Sequence, residues 1–361
     1  MENLPNHHDL DINALSRVFK NTTNSYKFFW MIALLDCIRE GRTEVSIYEM
    51  CLKMLENVWY PRSFFKLNFG VQDQFSRIIN DFDTSGFVVD YDSKNDSIST
   101  QISDWTKNNP HFIKKIMDLG KYVPTRFIRP WYESDSQGLA DDKVDAKIRE
   151  LSNDGLSLYF IHQNQIVISP KWIEYLVQHQ EILRSYTQWY LLVFLQAKNP
   201  NTPAISAKLE KPKARSLAKA NEYWKTFMEI SPNQKCIYSG AFLSDFKTDI
   251  DHFLPWSFVA HDQIWNLAPV GLSANRSKSD KLPDLSFYIE PFALLQQDAL
   301  GQIRNDHFKT IQLDFATIMR CEIRELRELN SRDFTLRMRE VMSPLEQIAR
   351  GMGFTPGWKY E

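Results

Sequence analysis

Four polar side chains between residues 251 and 275 have the types that phosphodiester hydrolysis requires. Asp251 and His252 are adjacent, Asn266 follows fourteen residues after the histidine, and Asn275 follows nine residues later. A histidine side chain has an ordinary pKa of about 6.5, so its neutral form can take the proton of an attacking water. A carboxylate and an amide supply the oxygen ligands that Mg²⁺ prefers. This set of residue types indicates metal-assisted hydrolysis.

These residues are predicted to lie on two strands and a helix. Neighbouring residues of a strand point to opposite faces, so Asp251 and His252 can have separate roles from adjacent positions. Asn266 is expected on the second strand, and Asn275 opens the stretch NRSKSDKLP. Asparagine is also a favoured helix N-cap, so Asn275 can cap this helix as well as bind a metal.

The order and spacing of these residues resemble the HNH (ββα-metal, His-Me finger) nucleases, and in particular the HNH domain of the RNA-guided CRISPR effector nucleases. In that family a strand of the form D-x-D-H-apolar-x-P precedes an Asn-bearing strand and a helix with N-R-x-K-S-D-x-x-P. The matching positions are Asp249, Asp251, His252, Phe253, Pro255, Asn266, Asn275, Arg276, Lys278, Ser279, Asp280 and Pro283. The resemblance covers residues 236–283 of a chain of 361.

The resemblance implies a role for each of these polar residues. Asp251 and Asn275 would hold one Mg²⁺ or Mn²⁺, His252 would be the general base, and Lys278 would contact phosphate. Asn266 would brace the loop that orients His252, although a purely structural role is an open alternative. The implied reaction is cleavage of DNA that leaves a 5′-phosphate and a 3′-hydroxyl, and RNA is not excluded as a substrate.

The sequence departs from the family pattern in two ways. Many HNH proteins bind a structural zinc through two CxxC pairs, but Ser239 stands where a cysteine would follow Cys236, and no CxxC precedes Asn275. We therefore predict no structural zinc, so that packing must hold the module. The sequence also shows neither a long basic channel nor a second nuclease domain, which excludes an RNA-guided effector acting on its own.

A local excess of positive charge precedes this segment. The whole chain has a formal net charge of −2, so a nucleic-acid footprint must be a local patch. Residues 198–225 carry seven Lys or Arg and two acids. Such a patch can grip phosphates, although a solvated helix face is the alternative. The predicted nucleic-acid contacts are Lys208, Lys211, Lys213, Arg215 and Arg276.

The composition predicts an α+β protein that is predominantly helical. Apolar residues make up 43% of the chain and aromatic residues 13%, with only 12 glycines, which is typical of a packed protein. The NPNTP stretch at 199–203 is the candidate domain boundary. The predicted segments are a mostly helical N-terminal domain with a small β element (1–197), a basic helical connector (198–235), the HNH module (236–290) and C-terminal helices packing on it (291–361).

Periodicity and capping signals predict the elements of the N-terminal domain. Ser46 and Glu49 have the spacing of a capping box. The other predicted elements are helices over 25–39, 72–82 and 109–118, a strand over 86–91, a hairpin over 156–169 and one long helix from Pro170 to Lys198.

The sequence also bounds the environment and the partners. Four widely spaced cysteines indicate reduced thiols, and no apolar run has the length of a membrane span, so we expect a cytoplasmic protein without a membrane partner. DNA is the expected partner, with a regulatory protein or a second copy as further options. The resemblance suggests a restriction or phage-defence effector whose N-terminal domain gates the nuclease. The rival hypothesis is a non-catalytic nucleic-acid-binding or protein-interaction module on an HNH scaffold.

Overall fold

The computed structural model describes residues 4–91, 97–212, 216–303 and 308–361. The chain divides into two compact units. Unit 1 comprises Met1–Pro200 and Leu209–Lys211, and unit 2 comprises Asn201–Lys208 and Pro212–Glu361. Helices dominate and the strands are few and short, so the prediction of a predominantly helical α+β protein is confirmed.

The helices of unit 1 are arranged around one central apolar helix. They are α1 (Ile12–Ser16), α2 (Tyr26–Arg39), α3 (Ile47–Trp59), α4 (Phe75–Thr84), α5 (Ile98–Asn108), α6 (His111–Leu119), α7 (Val123–Ile128), α8 (Asp141–Leu151), α9 (Pro170–Gln178) and α10 (Gln180–Lys198). The central helix is α2, which is buried from Phe28 to Ile38 and packs against α3, α9 and α10. The predicted helix at 25–39 is therefore confirmed. Its central position agrees with its sequence, since a helix that is apolar on all sides is buried in a core.

The capping box and the hairpin predicted for unit 1 are both present. The Ser46 hydroxyl accepts from the Glu49 backbone N–H, and the Glu49 carboxylate accepts from the Ser46 N–H, each at 3.2 Å. The hairpin strands are β2 (Tyr159–His162) and β3 (Gln165–Ile168), which pair antiparallel. A further short strand, β1 (Glu44–Ser46), pairs with the other edge of β3 and was not predicted.

Two predictions for unit 1 are wrong. Residues 86–91 form no strand, and in the described part of the chain no strand lies beside them; Val88 keeps 83% of its surface exposed. The long helix from Pro170 is interrupted at His179, whose backbone (φ −106°, ψ 19°) leaves the helical region. The interruption separates α9 from α10 and lets Gln180 donate to the Leu35 carbonyl at 3.0 Å.

Unit 2 is built around a two-stranded sheet followed by a short helix. Its strands are β4 (Thr248–His252) and β5 (Leu267–Gly271), which pair antiparallel with Asp251 opposite Ala268 and His252 opposite Leu267. Its helices are α11 (Ala218–Ile230), α12 (Trp256–Val259), α13 (Leu272–Lys278), α14 (Leu285–Gln302), α15 (Lys309–Met319), α16 (Ile323–Glu328) and α17 (Ser331–Gly351). One apolar cluster runs from Ala220 to Trp358, so the ββα element and the later helices share a core.

Two contacts fix the ββα element within this core. A Cβ on Gly271 would lie 3.1 Å from the Phe246 ring, so a side chain at this turn from β5 into α13 would require the ring to shift by a few tenths of an ångström. On the other side, buried Gln296 of α14 donates to the carbonyls of Ile264 and Leu267 and holds the start of β5. None of the described helices in either unit combines the length and the apolar composition that a membrane crossing needs.

Candidate active site

His252 stands at the end of β4 and is held by a carboxylate. Its Nε2 lies 2.8 Å from Oδ1 of Asp262, which belongs to the loop after α12, and the residue keeps 8% of its surface exposed. An ionised carboxylate only accepts, so this contact requires the proton on Nε2, and in the neutral ring the lone pair is then on Nδ1. The ring is thus oriented as an acceptor of one proton.

Asn266 fixes the chain that follows His252. Its Oδ1 accepts from the Leu254 N–H at 2.9 Å, and its Nδ2 donates to the Leu254 carbonyl at 2.8 Å. Its own carbonyl accepts from the Phe253 N–H. Asn266 is fully buried. It therefore holds the backbone beside the histidine, and its bracing role in catalysis stays a prediction.

Asp251 points to the other face of β4 and is enclosed. Its Oδ2 accepts from the Tyr238 hydroxyl at 2.7 Å, and its Oδ1 lies 3.1 Å from the Lys278 ammonium. The same ammonium donates to the His252 carbonyl at 2.6 Å. Burial and the neighbouring Asp251 charge hold the Tyr238 pKa well above its ordinary value, so the phenol stays a donor. The Asp251–Lys278 pair ties the end of α13 to β4.

The structure corrects the role expected for Lys278. Its side chain is fully buried, with its ammonium directed at Asp251 and the His252 carbonyl, so a phosphate cannot reach it. The residue is instead an interior counter-charge. The phosphate role was implied by the resemblance, which does not reveal whether the side chain is buried.

Asn275 does not contact Asp251. It lies inside α13, which begins three residues earlier, so it is not the N-cap of that helix. Its Nδ2 donates to Oδ2 of Asp249 at 2.9 Å, and Asp249 is exposed. The structure thus brings together Asp249 with Asn275 and, separately, Asp251 with Lys278.

The donor chemistry of the Asp249–Asn275 pair fits a hard divalent cation. Mg²⁺ is commonly held by one or two protein oxygens, with water and phosphate supplying the rest. The Asp249 carboxylate and the Asn275 amide can supply those oxygens at the surface. Asp251 fits less well, because a cation there would lie beside the Lys278 ammonium. The described residues contain no group of three or more His, Cys, Asp or Glu that could hold a metal.

Burial lowers the pKa values of two basic groups near the loop between β4 and β5, His261 and Lys208. Burial, and then the charge of neighbouring His252, lower the pKa of His261 to about 4, so this histidine is neutral at physiological pH. Burial lowers the pKa of Lys208 to about 7. The Lys208 ammonium donates to the Pro203 carbonyl at 2.7 Å and to the Phe258 carbonyl.

These contacts remove Lys208 from the predicted nucleic-acid contacts, because a fully buried ammonium cannot reach phosphate. Lys211 and Arg276 are exposed. Lys213 and Arg215 lie outside the described residues. The role of each of these four residues in binding nucleic acid stays a prediction.

Tyr238 and Asp262 are site residues that the sequence reasoning missed. Tyr238 lies in a tight turn in which the Gly240 N–H donates to the Cys236 carbonyl and the Cys236 N–H donates to the Ala241 carbonyl. The signal in the sequence was the turn CIYSG, which contains Tyr238. Its cysteine was considered as a possible zinc ligand, and the tyrosine was not considered. For Asp262 the signal was an acid ten residues after the histidine, but only the fold brings it to the ring.

A terminal strap covers this turn. Residues 354–360 form the strap, and its Trp358 ring meets the Tyr238 ring edge-on, with centroids 4.9 Å apart. Tyr288 of α14 contacts Tyr238 in the same way at 5.1 Å. The Trp358 N–H donates to the Leu282 carbonyl, which fixes the strap beside the end of the motif. Aromatic packing thus holds the turn that carries Tyr238.

Residues 236–284 match the family model described as HNH endonuclease. The match covers the turn at Cys236, both strands and α13, so this segment of the chain corresponds to an HNH endonuclease module. The match supports a nuclease of the HNH kind. No curated protein and no solved structure matches the chain.

Proposed function

We propose that this protein is a metal-dependent endonuclease that hydrolyses phosphodiester bonds in DNA. The observation that carries the proposal is the His252–Asp262 pair at 2.8 Å, inside the segment that matches the HNH endonucleases. A histidine without an orienting partner would be an ordinary polar residue. A histidine fixed by a carboxylate, at the end of the strand that also carries Asp249, has the arrangement of a general base.

In the proposed reaction His252 takes the proton of the attacking water at Nδ1. Asp262 holds the ring through Nε2–H and stabilises the imidazolium that forms. Asn266 fixes the backbone that follows the base through both of its contacts to Leu254. The chain itself thus supplies the proton acceptor and the two residues that orient it.

A divalent cation, Mg²⁺ or Mn²⁺, would be held by Asn275 together with a carboxylate of β4. When bound, such an ion neutralises charge on the phosphate and the leaving oxygen. The resemblance implies Asp251 as that carboxylate, whereas the contacts favour Asp249, because Asp249 is exposed and bonds Asn275 while Asp251 is bonded to Lys278. Asp251 can serve only if the ammonium moves away from it.

The DNA contacts that we propose are Lys211, Lys213, Arg215 and Arg276. Exposure supports Lys211 and Arg276. With buried Lys208 set aside, residues 198–225 still carry six Lys or Arg against two acids, and this charge supports the first three. Reversing the charges of Lys211, Lys213 and Arg215 should weaken DNA binding and flatten its dependence on salt, because each phosphate that the protein neutralises contributes about 0.9 to the log–log slope. An unchanged slope, measured by fluorescence anisotropy, would show that these side chains face only solvent.

A role as a restriction or phage-defence effector, in the cytoplasm and under control of a partner or a second copy, belongs to the same proposal. It is supported by the presence of a nuclease module in unit 2 of a chain that also contains the separate compact unit 1. Strong cleavage by the purified full chain without any trigger would argue against gating.

The central experiment compares His252→Ala with the unaltered protein on supercoiled plasmid. We expect a loss of about 10²–10⁴-fold in nicking rate, because a general base contributes that much. His162→Ala is the matched control, since His162 is exposed in the unit 1 hairpin. Chelator should abolish nicking, and Mg²⁺ or Mn²⁺ should restore it.

Equal nicking by His252→Ala and the unaltered protein would exclude the assigned base. DNA binding without any cleavage, in either metal, would favour the non-catalytic module instead. A single-stranded RNA of the same length, run in parallel, separates DNA from RNA as the substrate.

A further inference from the structure

Unit 1 contains a cavity of about 580 Å³ far along the chain from the nuclease motif. It opens between the loop that joins α1 to α2 and the start of α7. Five cationic side chains line it, against the carboxylates of Asp118 and Glu133. The cations are Arg17, Lys20, Lys27, Arg126 and Arg129.

Ion pairing inside unit 1 leaves part of this positive charge without compensation. Arg17 pairs with Glu133 at 3.0 Å, and Lys27 donates to the Val18 carbonyl at 2.9 Å. Within the described part of the chain, Lys20 and Arg129 pair with no carboxylate. Arg129 is half-buried, and an unpaired cation in a partly enclosed space is unfavourable, so a structural cluster would pair this charge.

The cations also oppose one another. Burial, and then the neighbouring charges of Arg129 and Arg126, lower the pKa of Lys27 to about 8. Like charges gathered around one concave surface raise the free energy of the protein, and an anion placed among them lowers it. The charge arrangement is therefore complementary to a negatively charged ligand.

The remaining lining suits phosphate groups on a small molecule. Neutral donors of the same loop, Thr22, Thr23 and Asn24, face the cavity beside the cations. Arg126 lies 4.7 Å from the centre of the Tyr122 ring, which is 45% exposed. Arginine matches phosphate geometry through its planar fork, and hydroxyl and amide groups add single hydrogen bonds.

The size of the cavity separates a small ligand from a nucleic acid. Small-molecule sites are concave and measure about 300–1,000 Å³, whereas a duplex is gripped along an open surface through its successive phosphates. We propose that unit 1 binds a small molecule carrying phosphate groups, either a nucleotide or an inorganic polyphosphate, between Lys20 and Arg129. This inference does not depend on the proposed nuclease activity.

The test is calorimetric titration of the full chain with ATP, with inorganic triphosphate and with adenosine, at matched ionic strength. We expect ATP and triphosphate to bind and adenosine alone to give no heat. Tighter binding of ATP than of triphosphate identifies a nucleotide site, and equal binding identifies a polyphosphate site. Binding of adenosine, or no binding of any probe at millimolar concentration, overturns the proposal.

Lys20→Glu combined with Arg129→Glu should weaken the binding by at least about tenfold, because both cations line the cavity and attract an anion there. Lys114→Glu with Lys171→Glu makes the same change of charge at exposed residues outside the cavity and should leave the affinity unchanged. Lys20→Glu alone, at an exposed loop position, covers the case in which the double variant fails to fold.

Equal weakening by the cavity variant and the control would show unspecific attraction and overturn the site. A competition experiment between triphosphate and a short DNA duplex completes the test. A short DNA duplex that binds through Lys20 and Arg129, and that triphosphate cannot displace, would mark a nucleic-acid surface instead of a small-molecule site.

Discussion

Asp249 and Asp251 have the same side chain, lie two residues apart and share one face of β4, yet their surroundings are opposite. Asp249 is exposed and bonds Asn275, whereas Asp251 is 5% exposed and bonds Tyr238 and Lys278. The first carboxylate is available to a ligand and the second is committed to the interior. A motif that contains both can locate the active face, but it does not decide which carboxylate serves a metal.

The difference follows from the way α13 lies against β4. Residues three apart share one face of a helix, and residues two apart share one face of a strand. Asn275 and Lys278 are three apart on α13, and they face Asp249 and Asp251, which are two apart on β4. The longer lysine reaches the buried end of the strand and the shorter asparagine reaches the exposed position.

Lys278→Met removes the buried ion pair with Asp251 and should have the largest effect on the unfolding free energy. It leaves the Asp251 carboxylate enclosed without its counter-charge, which costs about 3–5 kcal/mol of unfolding free energy. Urea-induced unfolding, followed by circular dichroism, measures the loss. Lys247→Met, at an exposed position just before β4, is the matched control and should change little.

Combining Lys278→Met with Asp251→Asn should recover part of that stability, because the enclosed charge disappears with its partner. If Lys278→Met alone costs under about 1 kcal/mol, the pair is not a closed interior contact. Asp251 would then be open to a metal, and the two aspartates would be alike.

Asp262→Asn tests whether the proposed base, His252, depends on this carboxylate. Removing the charge beside Nε2 should lower kcat by about 10–100-fold with little change in KM, because the carboxylate orients the ring and does not bind substrate. Asp262→Glu should retain more activity than Asp262→Asn. Nitrogen NMR of His252 should show the Nε2–H form giving way to a mixture of tautomers.

The matched control is Asp245→Asn, which removes an exposed carboxylate from the same module. An Asp262→Asn variant with full kcat and an unchanged histidine tautomer would remove Asp262 from the site.

A direct comparison of Asp249→Asn with Asp251→Asn tests which carboxylate binds the metal. We expect smaller effects here than in the preceding variants. Asp249→Asn should weaken Mn²⁺ binding by at least about tenfold and change the unfolding free energy by no more than about 0.5 kcal/mol. Asp251→Asn should lower stability and leave Mn²⁺ affinity unchanged. Electron paramagnetic resonance of free Mn²⁺, in the presence of DNA, gives the affinities.

The reverse outcome would be informative about Lys278. If Asp251→Asn abolishes Mn²⁺ binding and Asp249→Asn does not, the ammonium leaves Asp251 when the cation arrives. This result would support Asp251 and Asn275 as the metal ligands, as the resemblance implies.

Local patterns in the sequence predicted the parts of the fold that depend on local forces. The capping box at Ser46 and the apolar helix at 25–39 need only neighbouring residues, and both are confirmed. The strand expected at 86–91 depends on a partner elsewhere, which the described chain does not provide. The short β1 was missed for the converse reason, because three residues become a strand only by pairing with β3.

Side chains of the site were likewise predicted only where residue type and spacing were sufficient. Residue type and spacing identified His252 and Asn266, and the fold gives both of them oriented contacts. Burial cannot be read from residue type, so Lys278 and Lys208 were both expected at the surface although they are interior. Tyr238 and Asp262 were missed because they reach the site through turns and loops whose course depends on the whole core.

The strap at residues 354–360 makes the order of synthesis relevant to the site. Its Trp358 supports Tyr238, which in turn bonds Asp251, although the helices from α14 to α17 separate the strap from the motif in the chain. A nascent chain that has not yet released residue 358 from the ribosome lacks this support. Tyr238 therefore gains this aromatic support only after α14 to α17 have emerged.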